Sequence, residues 1–326
     1  MFFFEDLSMI HVFTFIAILF ILIGLNEGLR MSKKFSLLIF IGLPAVLTVY
    51  WVNMDSEITS WFFWVKVYSA LAGSLIYMVI RFTDYHLKNP RYLLLVPAIL
   101  ALNILEAAVR ELQVGIAGFH GTVDGMFYIS GGWNYLNALA GILNILLICG
   151  WVGIKRKEKN NRVDMVWPDQ GLLFIIAYAV WNISYVYSCS PANALYSGFA
   201  LNLAPIIPAL FWAKGTWMQN RAHTLSLWMI WIMTFPYFFT DGSAVQATLS
   251  YNPAANWTLA VASLTLNGVL FVWQVKRILS EKKNVFEDEI WANTNQYQGE
   301  KDGVTDNART GRGYGSGKKR RAGSTA

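Results

Sequence analysis

Apolar residues run along this chain in long, nearly unbroken stretches. A membrane-crossing helix needs about 20 mostly apolar residues, within a range of about 17–25. Nine stretches meet that length: 9–28, 35–52, 61–80, 91–109, 132–152, 169–188, 193–213, 223–240 and 256–275. The predicted fold class is an all-α integral membrane protein, a bundle of nine transmembrane helices. Residues 1–280 would form the membrane domain, and 281–326 a polar, basic, disordered cytoplasmic tail that ends in GRGYGSGKKRRAGSTA. No internal repeat stands out.

The polar gaps sort the basic residues. Arg30, Lys33 and Lys34 fall in the first gap, and Arg81, Lys88 and Arg91 in the third or at its edge. Lys155, Arg156, Lys157, Lys159 and Arg162 fall in the fifth, Lys214 and Arg221 in the seventh, and eleven more after the ninth stretch, from Lys276 onward. The second, sixth and eighth gaps hold none. Of the 26 lysines and arginines, only Lys66 and Arg110 lie outside the alternate set. Cytoplasmic loops retain Lys and Arg during insertion. The pattern therefore predicts a multi-pass protein of the cell membrane, with its N-terminus outside and its C-terminus in the cytoplasm. A wrongly placed span would break the alternation.

Composition agrees. The chain is 55% apolar, 15% aromatic and 14% charged, against about 25% charged in an average soluble domain. The net charge of +6 is spread over loops and tail. It points to membrane lipid as a partner, through attraction to anionic headgroups, and not to nucleic acid. The opening MFFFEDLSMIHVF lacks a basic lead and no A-x-A site follows, so it reads as a retained first span. Cys149 and Cys189 map near opposite faces, which disfavours a disulfide. No metal motif, phosphate loop, nucleophile elbow or HExxH occurs, so no metal or cofactor is expected. Pro44, Pro97, Pro205, Pro208 and Pro236 lie inside spans. The APIIP run at 204–208 is expected to interrupt the seventh helix near its middle.

The two exceptional basic residues point to candidate chemistry. Lys66 lies about five residues into the third span, and Arg110 ends the fourth, with Glu106 one turn away. Asn103, Glu106 and Arg110 share one helix face by their i, i+3, i+7 spacing. Consecutive helices pack side by side, so a Lys66–Glu106 pair is expected. Ionisable groups within a span are functional candidates by default. Asn134 and Asn137 on the fifth helix, with Asn182 and Tyr185 on the sixth, map to the same outer half. Asn144, Tyr178, Asn202 and Asn267 extend the polar stripes, which equally suit interhelical hydrogen bonding. Together Lys66, Asn103, Glu106, Arg110, Asn134, Asn137, Asn182 and Tyr185 would line a polar pocket open to the outside. The segment 110–131, with Glu111, His120 and Asp124, reads as an outer surface loop. Asp241 and His223 read as solvated residues. Glu27 and Asp169 lie at the inner interface, Asp169 complementing the dipole of the sixth helix, and neither is assigned to chemistry.

The strings WVKVYSALAG (64–73), LNILEAAVRELQ (102–113) and SGFALNLAP (197–205) resemble an uncharacterised family of prokaryotic multi-pass membrane proteins, the domain of unknown function 5692. That likeness would cover the whole membrane part and implies no activity. Three strings resemble the integral-membrane terpene cyclases of meroterpenoid pathways: AVWNISYVYSCSP (179–191), GFALNLA (198–204) and WTLAVASLTLNGVLFVWQVKR (257–277). In that family a glutamate after the tryptophan is thought to protonate the substrate. Here Asn182 follows Trp181, and no carboxylate lies between Trp257 and Arg277, which speaks against cyclisation chemistry. Three functions stay open. The leading one is transporter-like binding or translocation of a small charged or zwitterionic solute. The others are an enzyme acting on a lipid or isoprenoid, with Glu106 as acid or base, and a structural accessory protein. A closed bundle with Lys66 and Glu106 paired and no cavity would mark the last.

Overall fold

The computed structural model describes residues 2–5, 7–54, 61–123, 126–191, 194–239, 243–247, 250 and 252–301. Asp124, Asp241 and the basic end of the tail lie outside the described residues. The main helices are α1 (Met9–Met31), α2 (Lys33–Asn53), α3 (Trp61–Phe82), α4 (Pro90–Ala117), α5 (Gly132–Leu146), α6 (Leu172–Cys189), α7 (Ala194–Phe211), α8 (Trp217–Thr234), α9 (Pro253–Glu281) and α10 (Asn295–Lys301). Two antiparallel hairpins interrupt them. One pairs β1 (His120–Val123) with β2 (Met126–Ile129), the other β3 (Lys155–Lys159) with β4 (Arg162–Val166).

Seven helices are long and apolar enough to cross a membrane: α1, α2, α3, α4, α6, α7 and α9. Two of the nine expected spans fall short of that standard for different reasons. The helix in 132–152 stops at Leu146 after 15 residues, about 22 Å at 1.5 Å per residue against a hydrocarbon core of about 30 Å. Beyond it the backbone turns at Gly150, whose φ of +66° suits glycine and where a Cβ would collide with the Asp169 carboxylate. The helix expected at 223–240 begins earlier, at Trp217, and its first two turns carry Gln219, Asn220, Arg221 and His223.

That earlier start overturns the solvated reading of His223, which is buried in the bundle. Arg81 has only donors to offer, so the Nη1–Nε2 contact at 3.2 Å makes His223 Nε2 the acceptor. The ring proton then sits on Nδ1 and is donated to Asn26 Oδ1 at 2.9 Å. Asn26 in turn donates to Asn220 Oδ1 at 3.1 Å.

The APIIP run does not break α7 where expected. Residues Leu201–Phe211 stay helical through Pro205 and Pro208, and the irregular part is a π-helical stretch before them, Ala194–Ala200. Pro205 has no N–H for the carbonyl of Leu201. Arg221 Nη1 of α8 donates to that carbonyl instead, at 3.4 Å. Pro44 is handled by another π-helical stretch, Leu38–Gly42, within α2.

The chain gaps gather at two ends of the bundle. At the basic end, β3–β4 docks on α1, α3 and α8. Its turn is Asn160–Asn161, with φ of 51° and 58°, values that a two-residue hairpin loop requires and that asparagine tolerates. Arg30 holds Asp164 through two bonds of 2.8 Å. Gln219 donates to Asp164 at 2.9 Å and accepts from the Met165 amide at 2.6 Å. Arg81 donates to the carbonyls of Val163, at 2.6 Å, and Leu29, at 2.8 Å. At the opposite end, the Phe3 carbonyl accepts from Ser250 N at 3.1 Å and from the Tyr187 hydroxyl at 2.8 Å.

Residues 283–301, expected within a disordered tail, form a strap packed under the basic end. Asp169, expected at the inner interface near the start of the sixth helix, is buried there and accepts the amides of Ile290 at 2.6 Å and Trp291 at 3.0 Å. Trp291 packs edge-on against Trp273, with ring centroids 4.9 Å apart, and Arg277 donates to the Ile290 carbonyl at 2.8 Å. The sequence in this stretch is polar; of its apolar residues Ile290 and Tyr297 are buried and Trp291 packs on Trp273, while Phe286 stays exposed.

Asp164→Ala removes two charge-assisted bonds from the buried Arg30 guanidinium and leaves it Glu27 alone, a loss on the order of 3 kcal/mol. The exposed partner in the Arg156–Asp84 pair serves as comparison, since Asp84→Ala is expected to cost at most about 1 kcal/mol. Melting temperatures of the two variants in detergent decide it, and equal shifts would contradict the assignment. The strap carries a pH signature. Burial raises Asp169 to about 6 and Glu300 to about 7. Glu289 and Lys283 face the first, and Gln296, Lys157 and Lys214 the second. A carboxyl raised by docking favours the docked strap while protonated. Docking is therefore strongest below the ordinary carboxyl range, weakens as pH rises through neutrality, and levels off above the docked values. Protease cleavage within 283–301 should be faster at pH 8 than at pH 5.5, relative to Glu300→Gln at each pH. The same ratio at both would rule out this coupling.

Candidate functional site

The eight candidate residues fall into one buried polar layer shared by α3, α4, α5, α6 and their neighbours. Lys66 Nζ of α3 donates to Glu106 Oε2 at 3.3 Å and to the Asn103 carbonyl at 2.9 Å, both on α4. Ser69, one turn along α3, donates to the same Glu106 oxygen at 3.2 Å. The expected Lys66–Glu106 pair is thus present in the geometry. Glu106 Oε1 and the Asn103 side-chain oxygen are buried without a hydrogen-bond partner among the described residues.

Arg110 lies one turn beyond Glu106 on α4. It donates to Gln113 Oε1 at 2.6 Å and to the Tyr128 hydroxyl, and its guanidinium stands over the Tyr128 ring at 4.9 Å. Its Nε is buried and unpartnered among the described residues. Residues β1–β2 thereby fold back onto the helix that precedes them.

Glu111 is the residue the sequence reading missed. Placed in a surface loop from 110 onward, it is instead fully buried in α4, which runs to Ala117. Its carboxylate collects donors from two other helices. Asn137 donates at 2.8 Å and Asn134 at close range, both from α5. Ser188 donates at 3.0 Å and the Cys189 thiol at 3.3 Å, from α6. The signal for the longer helix was present: Ala107, Glu111 and Val114 continue the buried face, and the stop is Gly118, with φ of +64°. Hydropathy falls at Arg110–Glu111, but the helix does not end there.

Asn137 also exchanges bonds with Trp181. It donates to the Trp181 carbonyl at 3.3 Å, and Trp181 Nε1 donates to the Asn137 carbonyl at 3.1 Å. Gly141, one turn on, leaves room for that indole, since a Cβ would lie 2.9 Å from its nitrogen. Tyr185 stacks on Trp181 at 6.3 Å and 17° and lies within electrostatic reach of Glu111 and Arg110. Asn182 accepts from Asn202 at 2.9 Å and from Arg221 at 3.3 Å. Arg221 also donates to the Tyr178 hydroxyl at 3.3 Å. Read from the sequence as a loop cation, Arg221 is a buried member of the same layer and lies within electrostatic reach of Lys66.

The sequence reading expected these residues to line an open pocket; Glu106, Arg110, Asn134, Asn137, Asn182 and Tyr185 are all buried. None of the eight lines the cavity of about 670 Å³ that opens at the basic end. A second of about 400 Å³ is an apolar groove between α1, α2 and α8 with no carboxylate on its walls. Among the described residues no three His, Cys, Asp or Glu side chains group as a metal set.

All four side chains that bond the Glu111 carboxylate approach it as donors, so an amide in its place turns N–H toward N–H. Glu111→Gln should cost nearly as much as Glu111→Ala, roughly 3 kcal/mol or more. Melting temperatures of both variants test this; a Gln variant as stable as the native chain would refute it.

No curated protein and no solved structure matches the chain. A family model described as a family of unknown function, DUF5692, matches residues 5–302. That match spans the helical bundle and the strap, and the chain belongs to this family.

Proposed function

We propose that this chain is a nine-crossing protein of the cell membrane, with its N-terminus outside, and that its buried layer binds a small charged or zwitterionic solute. The nine crossings are supported by contact. Groups from the gaps after α1, α3, α5 and α7 and from the strap meet around β3–β4. The N-terminus and the gaps after α6 and α8 meet at the other end. Cytoplasmic retention of Lys and Arg assigns the basic end to the inside. The lengths of α5 and α8 suit helices screened from lipid by their neighbours.

The observation that carries solute binding is the pair of unmet groups in the layer. Glu106 Oε1 and Arg110 Nε lie one turn apart on α4, opposite in charge and buried, and neither has a protein partner among the described residues. A purely structural ion-pair network would be expected to close on itself, because an unmet buried charge costs several kcal/mol. A solute with an ammonium and a carboxylate would meet both groups. The structure then represents the occluded form. A structural reading, in which the layer only joins helices, is favoured by the existing Lys66–Glu106 pair and by the absence of the layer from the described cavities.

The double variant Lys66→Met/Glu106→Leu separates the two. It replaces the pair with apolar groups of similar bulk, a change that is often neutral for stability. Purified wild-type protein is screened for melting-temperature shifts with zwitterionic, ionic and isoprenoid probes. A zwitterion or ion that raises the wild-type midpoint but not that of a folded double variant is the expected result. Shifts of equal size in both, or no shift from any charged probe at millimolar concentration, would assign the layer to helix pairing.

A further inference from the structure

A cavity at the basic end lies apart from the polar layer and has its own chemistry. We infer that it is a binding site for the phosphate-bearing headgroup of an anionic lipid. It is a cleft of about 670 Å³ between β3–β4, the end of α1 and the 211–216 turn. Five cationic side chains face it, Arg30, Lys157, Lys159, Arg162 and Lys214, against two carboxylates, Glu27 and Asp164.

The carboxylates are already committed. Asp164 is held by Arg30 and Gln219. Glu27 pairs with Arg30 and accepts from Arg162 Nε at 2.9 Å and from Trp212 Nε1 at 2.9 Å. Lys157 donates to the Glu300 carbonyl at 3.4 Å, and the buried Glu300 carboxyl lies within electrostatic reach of both Lys157 and Lys214. Lys159 and Lys214 are exposed and make no hydrogen bond or ion pair among the described residues. The cleft therefore keeps a surplus of positive charge after its internal pairs are counted. A single carboxylate would leave most of that surplus unmet. A phosphomonoester, with up to two charges and three acceptor oxygens, matches it better.

Two further features aim the site. Thr216, the N-cap of α8, is part of the wall, so the positive end of that helix dipole adds to the field. Phe211 and Trp212 form the rim, 73% and 51% exposed, where aromatic side chains meet the membrane–water boundary. A cationic cleft with an exposed aromatic lip suits an amphiphile, its phosphate inside and its chains returning to the bilayer. The wall itself is rigid, because Arg30 and Asp164 are both buried and bonded across two elements. The inference does not depend on what the polar layer binds.

The test uses full-length protein in a neutral detergent and short-chain (dioctanoyl) phosphatidic acid as probe, with dioctanoyl phosphatidylcholine and inorganic pyrophosphate as the other arms. Saturable stabilisation by phosphatidic acid, little by phosphatidylcholine and little by pyrophosphate is the expected result. Lys159→Glu/Lys214→Glu should weaken the phosphatidic acid response roughly tenfold or more with little change in the unliganded melting temperature, since both side chains are exposed. Lys276→Glu/Lys282→Glu, on α9 and just beyond it, should leave the response intact. An equal response to pyrophosphate would overturn the lipid assignment in favour of a free phosphate ligand. A response that survives Lys159→Glu/Lys214→Glu, or is lost equally in the α9 variant, would overturn the site.

Discussion

In an apolar bundle, a polar group that has left water must find its partner in protein. Failure costs several kcal/mol for a neutral group and more for a charge. This constraint organises the molecule at both of its polar levels. Near the basic end, Arg30 and Arg81 reach across to the hairpin β3–β4, which supplies Asp164 and the Val163 carbonyl in return. In the other layer, Glu111 gathers four donors from two helices. α5 is shorter than a crossing helix and α8 has polar first turns, and both take part in these bonds.

The same constraint explains why prolines in α7 do not break it. A proline removes one amide donor and leaves a carbonyl four residues back without its bond. In water that carbonyl would be solvated. In the bundle, Arg221 donates to the Leu201 carbonyl, and Asn202 donates at 2.6 Å to the Gly198 carbonyl of the π-helical stretch. Arg221 thus serves the backbone of one helix and the Asn182 side chain of another at once. A cation that seemed, by sequence position, to be a loop residue is what keeps a proline-containing helix continuous.

Much of this was legible from residues alone. Sorting of basic residues reports a selection acting on whole loops, so it survives errors of several residues at each boundary, and the contacts at the two ends follow its alternation. Lys66 and Glu106 were legible as partners because both interrupt apolar runs on consecutive helices. Glu111, Arg221 and His223 were not, and for one reason. Hydropathy ends a span at the first charged residues, whereas the helix ends where its backbone can turn, at Gly118 for α4. Burial of those residues depends on Asn134, Asn137, Asn182 and Arg81, which lie far away in sequence, and no local window contains that information. The strap was hidden in the same way, since Ile290, Trp291 and Tyr297 are too few to mark an element until Asp169 and Trp273 are placed above them.

The two polar levels differ in how completely they close. At the wall of the basic end Arg30, Arg162, Glu27 and Asp164 pair with one another, and Arg81 is met by two carbonyls and His223. In the inner layer, Glu106 and Arg110 each keep one buried atom unmet while their remaining atoms are bonded. If the layer existed only to join α3 to α4, these two groups could have met each other along the same helix face, where i, i+4 spacing allows it. They turn instead to Lys66 and to Tyr128, on opposite sides. That choice leaves an acceptor and a donor of opposite charge free within one turn. It is the arrangement on which the proposed solute site rests.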